Sequence, residues 1–240
     1  MRCLILELCG PLMSFGDTAI DEICPTRRLP GRSLLAGLIG NALGYEHGYE
    51  HGDVDLLTRL QERLRFAARL DREGRGIVDF QTAELSKQDP IWTTRGVRGE
   101  RHGGGDTYSG PALRYRHYRA DSRVMVALTL DPAGEQPGLQ AVADALLRPE
   151  RPLFLGRKGC PPASRILYDT VDAESLAVAL DRFAGEGPIE TEDDANEPDG
   201  RSITVTDRRD WRLGFHAGFS RRREIRPSSP PQSLAGEEGS

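Results

Sequence analysis

The chain has 240 residues, 38% of them hydrophobic, which suits one large domain or one domain with a small appendage. No apolar run is long enough to cross a bilayer, and MRCLILELCGPL stops at Gly10-Pro11, as a first strand does and a signal peptide does not. Cys3, Cys9, Cys24 and Cys160 lack CxxC spacing, so the expectation is a cytoplasmic protein with reduced thiols and with no metal, cofactor or membrane partner.

The net charge of −5 is unevenly spread. Residues 172–199 hold ten acids against Arg182 alone, so the remainder of the chain is net basic. Lys87 and Lys158 are the only lysines among 32 basic residues. Arginine binds phosphate in bidentate fashion and stacks on bases, so this bias favours RNA, although a GC-rich genome produces the same bias.

In chain order, Cys3–Leu8 reads as a strand closed by the Gly10-Pro11 turn. Arg32–Leu43 places Leu34, Leu35, Leu38, Ile39 and Ala42 at helical spacing, with Gly44 as the residue past its end. A second helix is expected over Asp53–Leu64, with Asp53 as N-cap and Leu56, Leu57, Leu60 and Leu64 on one face. Arg65–Asp71 and Gly76–Thr82 form an expected hairpin around Glu73-Gly74-Arg75. Residues 83–115 are polar, rich in Gly and Arg, and too long for an idle loop. Ser122–Leu130 reads as a strand, Leu139–Leu147 as a helix and Leu153–Leu155 as a further short strand. A strand at Ile203–Thr206 and the segment Trp211–Phe219 follow, and 227–240 is compositionally a disordered tail. The order β, α, β, β, α, β is the α+β, ferredoxin-like pattern, whose open sheet is a common RNA platform.

Few residues suggest chemistry. His47, Glu50 and His51 match H-x-x-E-H, but they lie in the tandem GYEHGYEHG, whose glycines break the helix that a zinc site needs. Tyr115, His117 and Tyr118 are of a type to act on a 2′-hydroxyl, or simply to face solvent from a strand. Arg157 and Lys158, between Gly156 and Gly159, suit either a phosphate or a solvated turn; the Walker A spacing is missing. The expected helix start at Arg32-Ser33 can present backbone N–H groups to phosphate, with Arg27, Arg28 and Arg32 around it.

Taken together, "LILELCGPLMSFG", "PTRRLPGRSLLAGLIGNALG", "RFAARLDREG…VDFQTA", "YRHYRADSRVMVALTL" and "LLRPERPLFLGRKGCPPA" resemble, in order, the CRISPR-associated RAMP-type proteins, and most closely the Cas-five-family subunits of type I-E Cascade. The likeness covers residues 1–170 as ordered blocks and 201–226 more loosely; it departs at Gly31-Arg32-Ser33 and in the acidic stretch after residue 186. The resemblance implies a RAMP domain over 1–170 with an inserted thumb at about 83–115, and a C-terminal extension over 171–226. It further implies a non-catalytic role, gripping the 5′ handle of the CRISPR RNA beside the large subunit and the backbone subunit, with target DNA reached only through the complex. Arg27, Arg28, Arg32, Ser33, Arg114, Arg116, Arg157 and Lys158 are the expected RNA contacts. Two other readings stay open: a metal-independent endoribonuclease using Tyr115, His117 and Lys158, and a scaffold whose basic surface binds an acidic protein.

Overall fold

The structure is a computed structural model that describes all residues except 48–51, 84–90, 93–97, 100–110, 193–199 and 226–240. Strand β1 (Arg2–Cys9) buries both of its faces, with Leu4, Leu6 and Leu8 on one side and Cys3 and Ile5 on the other. Such double burial needs cover above and below. Helices α1 (Arg32–Ala42), α2 (Val54–Arg63) and α3 (Leu139–Leu147) cover the first side, and α4 (Leu176–Asp181) covers the second. Together they make the larger core around Leu35, Ile39, Leu60, Phe66 and Val142, and a smaller one around Ala179 and Leu180.

The main sheet is antiparallel throughout. It joins β1 to β4 (Leu64–Arg72), β9 (Arg123–Leu130), β10 (Leu167–Asp172), β11 (Ile189–Glu192), β12 (Arg201–Asp210) and β13 (Phe215–Ile225). Its spatial order is β10-β1-β9-β4-β11-β13-β12, so the strands after residue 186 extend the same sheet beyond β4. In a second, smaller sheet β8 (Ala112–Ala120) lies between β5 (Arg75–Ala83) on one side and the short β2 (Leu12–Met13) and β3 (Ile23–Cys24) on the other. The two-residue strands β6 (Ile91–Trp92) and β7 (Arg98–Gly99) pair with each other inside the long polar segment.

Three element expectations need correction. The second helix ends at Arg63, and Leu64 opens β4; Leu57 and Leu60 are buried but Leu56 is exposed. The expected hairpin has its turn but not its pairing: β4 pairs with β9 and β11, whereas β5 pairs with β8. The chain crosses from the large sheet to the small one at Gly74 and crosses back at Asp121-Ser122, so β4/β9 and β5/β8 make one continuous bent ribbon. A Cβ on Gly74, at φ +67°, would collide with the backbone of Ala120–Ser122, which is what keeps the two crossings together.

Leu153–Leu155 joins no sheet and runs into a bend at Leu155. The Leu155 N–H donates to the Cys160 carbonyl at 2.7 Å, and its own carbonyl accepts from Ser14 N–H at 3.1 Å. With the N–H turned back into the loop and the carbonyl taken by Ser14, Leu155 has no group left for a neighbouring strand. Gly156 completes that loop at φ +97°, and any Cβ there would overlap the Ser14 carbonyl. The glycine before the two cations therefore serves close backbone packing.

Candidate nucleic-acid interface

An open cleft of about 850 Å³ runs between three walls. The first is the outer face of α1: Ser33, Leu34, Gly37, Leu38 and Asn41 recur at three- and four-residue spacing, so they line one stripe while Leu35 and Ile39 enter the core. The second is the loop carrying Arg151, Phe154, Arg157 and Lys158. The third is the end of β12 and its turn into β13, with Arg209, Trp211 and His216. His47 and the Ser14–Gly16 segment complete the lining.

Local bonds hold the walls in register. Asn41 Nδ2 donates to the Pro152 carbonyl at 2.7 Å, and the Glu150 N–H donates to the Ala42 carbonyl at 3.0 Å, tying the loop to α1. Asp210 Oδ1 accepts from the N–H groups of Arg212 and Leu213, the side-chain-built turn that presents Trp211. The Trp211 indole then rests against α1 where Gly37 has no side chain, since a Cβ there would stand 3.3 Å from its ring. His47 meets the same indole edge-on at 5.6 Å, and Ser33 Oγ lies 2.9 Å from His216 Nε2.

The charge on this lining has one sign: Arg151, Arg157, Lys158 and Arg209, with no carboxylate among the lining residues. A cleft with low-dielectric walls and cations of one sign focuses its field on an anion. Desolvation, and then Arg151 and Arg209, push the His47 imidazole below its ordinary range; desolvation and then Arg209 do the same at His216. Both rings are therefore neutral at neutral pH, which leaves anion binding to the permanent cations, of which Arg151 already donates to the Tyr45 carbonyl and pairs with Glu46 at 3.8 Å.

The eight expected contacts divide sharply. Ser33, Arg157 and Lys158 line the cleft. Lys158 is exposed and makes no hydrogen bond or ion pair among the described residues. Arg157 donates to the carbonyls of His117 and Cys24 at 3.2 and 3.1 Å and lies over the Tyr118 ring at 4.6 Å, so it braces the loop against β8 and β3 as well as edging the cleft.

Arg27 is bidentate to Glu190 at 2.8 and 3.1 Å, and Arg32 is buried and bonded to Glu192 and to the carbonyls of Leu64 and Gln61. Burial, ahead of the effect of Glu192, lowers the Arg32 pKa from its ordinary value. The helix start expected to meet phosphate has an intramolecular anion: the Arg32 N–H donates to Asp207 Oδ2 at 2.9 Å, and Arg222 donates to the same oxygen at 2.9 Å. Arg28 is exposed and paired with Glu73 at 3.3 Å. Arg114 and Arg116 sit on β8, away from the cleft lining.

The other candidates do not converge. On β8, Tyr115 and His117 share one face and Tyr118 the other; Tyr115 packs on Phe80 with ring centroids 5.0 Å apart. Of the H-x-x-E-H set, His47 lines the cleft, while Glu50 and His51 lie outside the described residues. Among the described residues no group of three His, Cys, Asp or Glu is arranged to hold a metal. Sequence reasoning missed Arg151, Arg209, Trp211 and His216. A signal for three of them existed in RRDWRLGFH (208–216), where cations alternate with aromatics, but only the packing of that turn on α1 gives it meaning.

Residues 3–226 match the model of the family described as CRISPR-associated protein (Cas_Cas5). The CRISPR system Cascade subunit CasD of Escherichia coli (strain K12) is 30% identical over 178 residues, covering 74% of this chain and 75% of that protein. Among solved structures, a chain of a CRISPR RNA-guided surveillance complex superposes with a TM-score of 0.67 at 23% identity, over 94% of this chain and 90% of that one. A crystal structure of a Cas protein superposes at 0.58 with 24% identity, over 95% and 100%. Those two likenesses carry the fold, and the family match carries the membership: this chain belongs to the Cas5 family of CRISPR-associated proteins.

Proposed function

We propose that this chain is a non-catalytic, CRISPR-RNA-binding subunit of a type I-E Cascade complex in the cytoplasm, holding the 5′ handle of the guide and bridging the large subunit and the backbone. The cleft is the observation that carries the reading, with four cations, aromatic walls and no lining carboxylate in a chain of net charge −5. Phosphates supply affinity for such a surface, and the aromatics suit unpaired bases. The likeness to a Cascade subunit supports the assembly. The central order β10-β1-β9-β4, with α1 and α2 after β1 and α3 after β9, supports a ferredoxin-like RAMP core, in which the segment between β5 and β8 corresponds to the thumb expected at about 83–115 and 171–226 to the extension.

The geometry separates the two glycine-flanked cations. Lys158→Ala removes an exposed charge and nothing else; it is expected to weaken handle RNA by about 1.5–3 kcal/mol, as for a charge-assisted bond. It should also flatten the log K against log salt slope by about 0.7, with unchanged thermal stability. Arg157→Ala is expected to lower both affinity and stability, because it also unties the loop from β8. Filter-binding titrations at several salt concentrations and a thermal melt check both; an unchanged slope in Lys158→Ala removes the residue from the interface. Incubation of the purified chain with labelled repeat RNA in EDTA is expected to yield no discrete product, and a product lost in His117→Ala would replace the binding subunit with an endoribonuclease.

A further inference from the structure

We infer that the cleft is a single-nucleotide pocket: it takes one unstacked base against Trp211, with the adjoining phosphate on Lys158. The volume of about 850 Å³ falls in the range of about 300–1,000 Å³ typical of pockets that enclose one small ligand, and it holds one or two nucleotide units rather than a helix. The lining is mostly apolar, with Phe15, Leu34 and Leu38 in it; three of its cations stand on the loop wall, and the fourth, Arg209, lies over one side of the Trp211 ring at 5.4 Å. That is an apolar seat for a base beside an electrostatic seat for a phosphate. The indole is already positioned, held by the Asp210-built turn and by the missing side chain at Gly37, so a base meets it without first ordering it.

The nucleotide can come from two sources, a strand of RNA or a free mononucleotide, and the inference rests on the RNA-binding reading only in favouring the first. Trp92 and Trp211 are the two tryptophans, so Trp92→Phe leaves Trp211 as the sole indole reporter in the full-length chain. Handle-length single-stranded RNA is expected to quench Trp211 emission. In a set of oligonucleotides with one abasic position each, a single position should abolish the quench while filter binding persists. In protein with both tryptophans, Trp211→Ala should weaken the intact RNA about 5- to 140-fold, the stacking worth of one base converted at 1.4 kcal/mol per tenfold, and should leave the abasic oligonucleotide unaffected. Trp211→Phe, which keeps an aromatic wall, should recover most of that loss.

A quench by adenosine or uridine monophosphate that excess RNA does not displace would assign the pocket to a free nucleotide. RNA that binds with no quench, and equally well to Trp211→Ala, would overturn the pocket and leave the RNA-binding reading standing. A mononucleotide that quenches while RNA fails to bind would do the reverse.

Discussion

Asp207, 3% exposed, receives the first N–H of α1 through Arg32 and the guanidinium of the equally buried Arg222. Burial alone would raise its pKa. Arg222, then Ser220 and the Arg32 N–H, outweigh burial and hold the carboxyl below its ordinary 3.8. Because the folded-state value lies below the unfolded one, this stabilisation is complete above the unfolded pKa and is lost as pH falls through the folded one. Asp207→Asn leaves the buried Arg222 guanidinium without its anion and is expected to cost about 3–5 kcal/mol at neutral pH. Urea denaturation measures it, and the gap from the wild type should narrow as pH falls below 3.8, where the unfolded chain takes up the proton that the folded carboxylate still refuses. The residue-scale lesson of the sequence lies here too. Arg27 and Arg32 looked like phosphate ligands because their carboxylates, Glu190 and Glu192, stand about 160 positions away and meet them only across the folded sheet.

At the scale of elements, periodicity served well where one face meets one core. The helix at Leu139–Leu147 matches its expected bounds, and Arg32–Leu43 and Ser122–Leu130 differ by a single residue. It failed where pairing decides. Nothing local distinguishes a hairpin from a ribbon that leaves one sheet for another, since β4 and β5 have the same strand chemistry either way. It failed again at Leu153–Leu155, where an apolar triplet leads into a loop whose Leu155 N–H turns back to Cys160 and whose Leu155 carbonyl accepts from Ser14. Gly156→Ala tests how far the cleft depends on that loop. The added methyl would overlap the Ser14 carbonyl at a φ that L-residues avoid, so a strain of about 1–3 kcal/mol or more is expected. Handle affinity should fall with it, because Lys158 rides on the displaced segment. A melt and a binding titration read both, and normal affinity in a destabilised variant would separate the loop from the interface.

For the molecule as a whole, the long polar segment is expected to be dispensable to the core. Ala83 and Ala112 are register partners at its root, so residues 84–110 can be replaced by a short Gly/Ser turn without moving β5 or β8. The shortened chain is expected to melt within a few degrees of the wild type and to fail in assembly with guide RNA and a backbone subunit. Normal assembly would deny the segment its role as a thumb. Within the first 170 residues β1, α1, β9 and α3 were legible from local pattern, whereas β10, which takes the sheet place expected of Leu153–Leu155, was not, and of the strands near the cleft only the Ile203–Thr206 part of β12 was. The one-signed cleft also has a kinetic side. At 0.01 M salt, where the screening length is about 30 Å, an approaching strand feels the net −5 of the whole chain before it feels the four cations; at 0.15 M, about 8 Å, it feels little but the cleft mouth. Moderate salt therefore hastens the encounter even as it loosens the finished contact, and a polyanion that cannot thread a strand into the mouth is turned away.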